Sequence, residues 1–220
     1  MANRFIELNY TGTLEDGTIF DTTSEDTAKE ANILNPKGRY GPAIVCLGQG
    51  HLLKGLEEDL KDKKPGKYTV ELAAENAFGK RQGNLIQLIP TKKLTDNNIK
   101  PHVGLQLDVD GQMGKVKSVS GGRAMVDFNH PLSGHTVKYN VELLRDVEDP
   151  REKVASVLEL ELKIKVELEE RDGKVIIKAE LPEQIHEPLA KRIKEVTDVD
   201  LLIEAPKKDA DTETETKAEN

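Results

Sequence analysis

Residues 5–21 constrain this chain more than any other stretch. Apolar side chains alternate through Phe5, Ile6/Leu8 and Tyr10, the triplet Glu15-Asp16-Gly17 follows, and Ile19 and Phe20 resume the pattern. This order predicts a strand, a tight turn and a second strand, because Asp-Gly supplies the positive backbone angle that a hairpin turn requires. A second segment, Leu47 to Glu57, carries Leu52 and Leu53. It sets Leu53, Leu56 and Leu60 at i, i+3 and i+7 of a helix that Lys64-Pro65-Gly66 ends. The stretch Tyr10 to Asp21 and this second segment read as two halves of one apolar cleft.

Between them, residues 22–41 lose apolar periodicity and collect Ser24, Asn32, Asn35-Pro36 and Lys37-Gly38, which predicts a long loop with a helical turn near Asp26 to Asn32. Loops of that length are uncommon without a function. Ala43 to Leu47 and Lys67 to Ala73 read as strands. From about Gly83 the chain breaks into short apolar runs, Leu85 to Pro90, Leu105 to Val109, Gly114 to Val119 and Ala124 to Val126, split by Asp110-Gly111 and Ser120-Gly121-Gly122. The pattern predicts a compact all-β insert. Asn129 to Gly134 closes it, and Thr136 to Leu144 returns as a long strand. Beyond Asp149-Pro150 the expectation is a helix from 150 to about 162, a hairpin across Arg171-Asp172-Gly173, a helix from Pro182 to about Val196 and a last strand through Val199, Leu201 and Ile203. Residues 207–220 alternate threonine with acids, have nothing to bury, and are expected to be disordered.

Taken together, Gly17-Thr18-Ile19-Phe20-Asp21, the Leu47–Glu57 segment, Ala77-Phe78-Gly79 and the Tyr139 strand resemble the FKBP-type peptidyl-prolyl isomerases. The β-rich block between Phe78-Gly79 and Tyr139 narrows the resemblance to the SlyD-like and archaeal long members, over roughly residues 4–147. It implies an α+β fold, with an FKBP-like antiparallel half-barrel wrapped on a short helix, an inserted small β domain and a C-terminal α+β domain. The boundaries it implies are an isomerase domain at 1–83 plus 128–149, an insert-in-flap chaperone domain at 84–127, a C-terminal domain at 150–206 and a tail at 207–220. The pocket wall would comprise Tyr10, Phe20, Leu52, Leu53, Leu56, Phe78 and Tyr139. Leu56 would form its floor, Leu53 would offer a backbone N–H to a substrate carbonyl, and Asp21 at the rim would orient Tyr10 or polarise a twisted imide. The chain departs from the small members at Phe78, where they have tyrosine, and at Leu56, where they have tryptophan.

Rotation about an X-Pro bond faces a barrier of roughly 18–20 kcal/mol set by partial double-bond character. A dry apolar surface disfavours the charge-separated planar amide relative to the twisted one, so no nucleophile, metal or cofactor is expected. The five histidines, His51, His102, His130, His135 and His186, lack ligand spacing, and no G-x-S-x-G elbow or phosphate loop is present. A net charge of −8 opposes nucleic acid as a main partner, although Lys115, Lys117 and Arg123 could form a locally basic strand edge. No apolar stretch is long enough for a membrane helix, and the lone Cys46 suits a reducing compartment, so a cytoplasmic protein is expected. The expected partners are unfolded or proline-containing polypeptides, with a homodimer through the C-terminal domain as a further expectation. Apolar residues of the insert, Leu85, Ile86, Leu88, Ile89, Leu105, Leu107 and Met113, would bind unfolded segments. Two rival readings, a catalytically weak holdase and a dimeric adaptor, use the same scaffold only for binding.

Overall fold

The computed structural model describes residues 3–109, 111–179 and 181–204, so the tail expected to be disordered lies outside the described residues. In chain order the elements are β1 (Phe5–Leu14), β2 (Ile19–Thr22), α1 (Glu25–Glu30), β3 (Ala43–Cys46), α2 (Lys54–Leu60), β4 (Gly66–Leu72), β5 (Ile86–Pro90), α3 (Thr91–Asp96), β6 (Gln106–Val109), β7 (Gln112–Ser120), β8 (Arg123–Asp127), β9 (Val137–Asp146), α4 (Pro150–Val157), β10 (Glu167–Arg171), β11 (Lys174–Lys178), α5 (Glu183–Thr197) and β12 (Asp200–Glu204). Contacts group the chain into two units. Of the described residues, one holds those up to Leu8, Pro42–His51 and those from Leu143 to Glu204; the other holds those of Asn9–Gly41 and Leu52–Glu142.

In the second unit the predicted hairpin forms. Gly17 adopts φ +84, its N–H bonds the Leu14 carbonyl at 3.0 Å, and the Asp16 carboxylate accepts from the Thr18 N–H at 2.9 Å. The antiparallel β1–β2 register shifts between Gly12 and Thr13, a bulge that turns the strand. Ser24 caps α1 by accepting from the Thr27 N–H, and Ala28 anchors that short helix in the core. In α2, Leu56 and Leu60 are buried as their spacing predicts, while Leu53 is the N-cap. The main sheet runs β2-β1-β9-β4, with β3 also pairing β1.

The insert is a four-stranded sheet, order β5-β8-β7-β6, around Ile89, Leu94, Leu107, Val116, Ala124 and Val126. The all-β expectation fails here, because Thr91–Asp96 is helical and sends Leu94 into that core. Pro90 closes β5 and occupies the N-cap, and one buried leucine suffices for a helix this short, so no 3.6-residue apolar period exists to be read.

In the first unit, β10 and β11 pair antiparallel, β11 and β12 pair parallel, and α5 makes the crossover. The single helix expected from 150 to about 162 ends as a regular α-helix at Val157. It widens to a π turn over Leu158–Leu162, which stops at Lys163 in the left-handed region, φ 59. The core of this unit also buries Phe5, Cys46 and Val147 beside Val154, Ile177, Ile193 and Leu201. At its surface Arg145 bonds Glu7 at 2.6 Å and both carboxylate oxygens of Glu152 at 2.9 Å, tying β1, β9 and α4 together.

Candidate functional site

β1, β2 and β9 each deliver one ring to a common cluster. Phe20 stands edge-to-face with Tyr139 and with Phe78, centroids 5.7 Å apart in both pairs, and Tyr139 meets Tyr10 at 5.8 Å. Phe78 reaches the cluster from the loop after the 3-10 turn Ala74–Asn76, and the imidazole of His130 lies flat on it at 4.9 Å and 1°. Of the sequence-predicted residues, Tyr10, Phe20, Asp21, Phe78 and Tyr139 are thus brought together. Two features were not among them. Gly12 is the reason the rings can meet: a Cβ at that position would lie 2.7 Å from the Phe20 ring and 3.0 Å from Tyr139. A glycine inside a strand signals such close approach, and that was the clue available. His130, whose place in the loop beside the cleft the sequence suggests, reaches the Phe78 ring through closure of that loop from far along the chain.

Asp21 accepts a hydrogen bond from the Tyr10 hydroxyl. Burial pushes the Asp21 carboxyl above its usual range, with the Tyr10 bond and the Thr22 backbone acting against that shift. Burial, and then the Asp21 charge, hold both Tyr10 and Tyr139 well above the usual tyrosine range. β2 is fixed in place by two buried hydroxyls: Thr22 lies 2.8 Å from Thr11 Oγ1, and Thr23 accepts from the Tyr10 N–H at 3.0 Å.

A tyrosine whose folded pKa is raised contributes stability that is present below its unfolded value, about 10, and is lost as pH rises through the folded value. Tyr10 and Tyr139 are therefore expected to ionise only on alkaline unfolding. Tyrosinate absorbance followed against pH should show a step at unfolding that becomes one residue smaller in Tyr10→Phe. A Tyr10→Phe titration identical to wild type would remove the buried pair from the site.

The leucines are placed differently. α2 packs on β4 and on the turn that leads into Phe78. Leu56 is 1% exposed, so it belongs to the core and not to an open pocket floor. Leu52 and Leu53 are partly exposed; the Leu52 N–H is taken by Glu57 at 3.2 Å, whereas the Leu53 N–H has no partner among the described residues. Three surface cavities are well formed, of about 850, 330 and 270 Å³. Of the predicted residues only Tyr10 lines one of them, the largest, alongside Tyr40, Tyr68 and Asn140. Phe20, Phe78 and Tyr139 pack edge-to-face and line none of the three, while His130, stacked on Phe78, lines the one of about 330 Å³.

The aromatic cluster and its half-buried acid–phenol pair, partly open at Phe20, Asp21 and Phe78, offer apolar ring edges and a carboxylate but no nucleophile. Residues 87–132 match the family model described as FKBP26, IF domain. The chain is 34% identical over 134 residues to the short-type peptidyl-prolyl cis-trans isomerase of Methanocaldococcus jannaschii, covering 60% of this chain and 85% of that protein. It is 32% identical over 149 residues to the FKBP-type 16 kDa peptidyl-prolyl cis-trans isomerase of Escherichia coli K12, covering 65% and 91%. The isomerase SlyD of Vibrio cholerae is 29% identical over 147 residues, covering 64% and 66%. A solved structure of the three FKBP domains of wheat FKBP73 aligns at TM-score 0.34 and 19% identity over 68% of this chain and 40% of that one, too slight a likeness to bear on the fold. The chain belongs to the FKBP-type peptidyl-prolyl cis-trans isomerases.

Proposed function

We propose that this protein catalyses X-Pro rotation in polypeptides at the Phe20–Tyr139–Phe78 cluster and holds unfolded chain on its insert. The observation that carries the reading is the ring cluster with its Asp21–Tyr10 pair, in a chain of the FKBP-type isomerase family. A prolyl ring packs against the open edges of Phe20 and Phe78, and the Leu53 N–H, without a partner among the described residues, donates a hydrogen bond to a carbonyl oxygen of the substrate. Desolvation of the planar amide then lowers the barrier, each 1.4 kcal/mol or so of differential stabilisation being worth about tenfold in rate. Exchange NMR on a short proline peptide tests this directly: catalysed interconversion is expected, and a rate unchanged by the protein would refute it.

The division into an isomerase domain (1–83 and 128–149), an insert-in-flap domain (84–127) and a C-terminal domain (150–206) belongs to the same proposal. So does a cytoplasmic setting, which the lone, buried Cys46 thiol suits. Among the described residues no helix is long and apolar enough to cross a membrane. Support for holding comes from the outer face of the insert, where Leu88 and Met113 are 60% and 61% exposed. Both contribute nothing to the core of the insert, so Leu88→Ser/Met113→Ser is expected to leave peptide isomerisation and melting temperature unchanged. It should weaken suppression of aggregation of a denatured client severalfold, and full suppression by this variant would remove the holding function from that face. Homodimerisation through the C-terminal domain is proposed as well, with light scattering as its test.

A further inference from the structure

The outer face of the insert sheet meets the loop Asn129–His135 in the cavity of about 330 Å³. Cross-strand register puts Ile86, Asp127, Lys115 and Gln106 in one row on that face. Arg81, Lys115 and Lys117 stand in the cavity wall against one carboxylate, Asp127, in a chain whose net charge is −8. Asp127 is already engaged. It pairs with Arg81, accepts from the Asn129 N–H at 3.0 Å and from Asn129 Nδ2 at 2.8 Å, and lies 4.0 Å from Lys117. Lys115, opposite Asp127 in register, forms no ion pair among the described residues. Among the described residues the wall therefore carries positive charge in excess of the carboxylates that face it.

A second observation at the same place points to a ligand. Ser133 also lines the cavity, is only 6% exposed, and its hydroxyl has no hydrogen-bond partner among the described residues. A buried hydroxyl left unmatched costs stability, so such groups ordinarily have partners. The cavity also adjoins the ring cluster, because His130, another of its walls, is the ring stacked on Phe78 at 4.9 Å. A substrate chain whose proline is held at Phe78 therefore has neighbouring residues within reach of the cavity.

We propose that this cavity is a specificity subsite, in which Lys115, Lys117 and the Ser133 hydroxyl receive the carboxylate of an acidic side chain near the proline of the substrate polypeptide. The inference rests on the isomerase reading above and adds the substrate class to it.

The test uses the full chain and end-capped peptides with one prolyl bond and either glutamate or glutamine two residues before or after the proline. Exchange NMR is expected to give a kcat/KM about three- to fivefold higher for glutamate at one of those positions, a contrast of the size partly exposed ion pairs supply. The contrast should shrink as salt is raised. Lys115→Gln/Lys117→Gln should abolish it while leaving turnover of the glutamine peptides unchanged, and Ser133→Ala should reduce it without lowering the melting temperature. Equal rates for both peptides, or a preference that survives the double substitution, would overturn the subsite. If the wild-type protein isomerises neither peptide, the isomerase reading falls instead, and anisotropy with the same peptides, fluorescently labelled, decides the subsite. Tighter glutamate binding that is lost in the double variant upholds it, and equal binding refutes it.

Discussion

Phe20→Ala is expected to lower kcat/KM for a proline peptide on the order of 100-fold, equivalent to about 3 kcal/mol of lost transition-state stabilisation. Phe20 is the one side chain in edge-to-face contact with both Phe78 and Tyr139, so its loss removes the link between the loop ring and the strand rings. Two such pairs are worth about 1–3 kcal/mol, and stability should fall by a comparable amount. Phe20→Leu separates the two effects, since it keeps apolar volume and most of the stability while losing the flat ring edge. Turnover in both variants equal to wild type would move the chemistry elsewhere.

Ending the chain after residue 149 is expected to cost the protein its cooperative fold. Phe5, Cys46 and Val147 are buried against Val154, Ile177, Ile193 and Leu201, so truncation bares apolar side chains belonging to the remaining part. The milder Ile193→Ala, at a fully buried position, should cost about 2–5 kcal/mol. Urea titration checks both, and a truncated chain that unfolds at the midpoint of the full chain would contradict the shared core.

Much of this arrangement was legible because local chemistry and long-range packing agree. Asp16-Gly17 dictates its turn wherever it sits, and the leucine spacing of α2 and the alternation of β4 report burial directly. The hairpin across Arg171-Asp172-Gly173 and the strand through Leu201 likewise stand where their patterns put them. The misses have a common cause. α3 depends on one buried leucine, the change to a π turn at Leu158 leaves the apolar pattern intact, and His130 meets Phe78 only through tertiary closure. In the candidate site the aromatic residues and Asp21 were readable from the strands that bear them. The close packing at Gly12 left only the clue of a glycine within a strand, and the mutual filling of space by the rings left none, because packing density leaves no periodic trace.

The core that joins Phe5 to Ile193 and Leu201 also bears on how the chain is made. During synthesis the first strand emerges long before the residues that will cover it, and closing so wide a loop is slow. Until the residues through Leu201 have been made, Phe5 and Cys46 have to wait uncovered or in temporary company. Nascent protein is therefore expected to gain protease resistance in the stretch around Phe5 only once translation has passed β12.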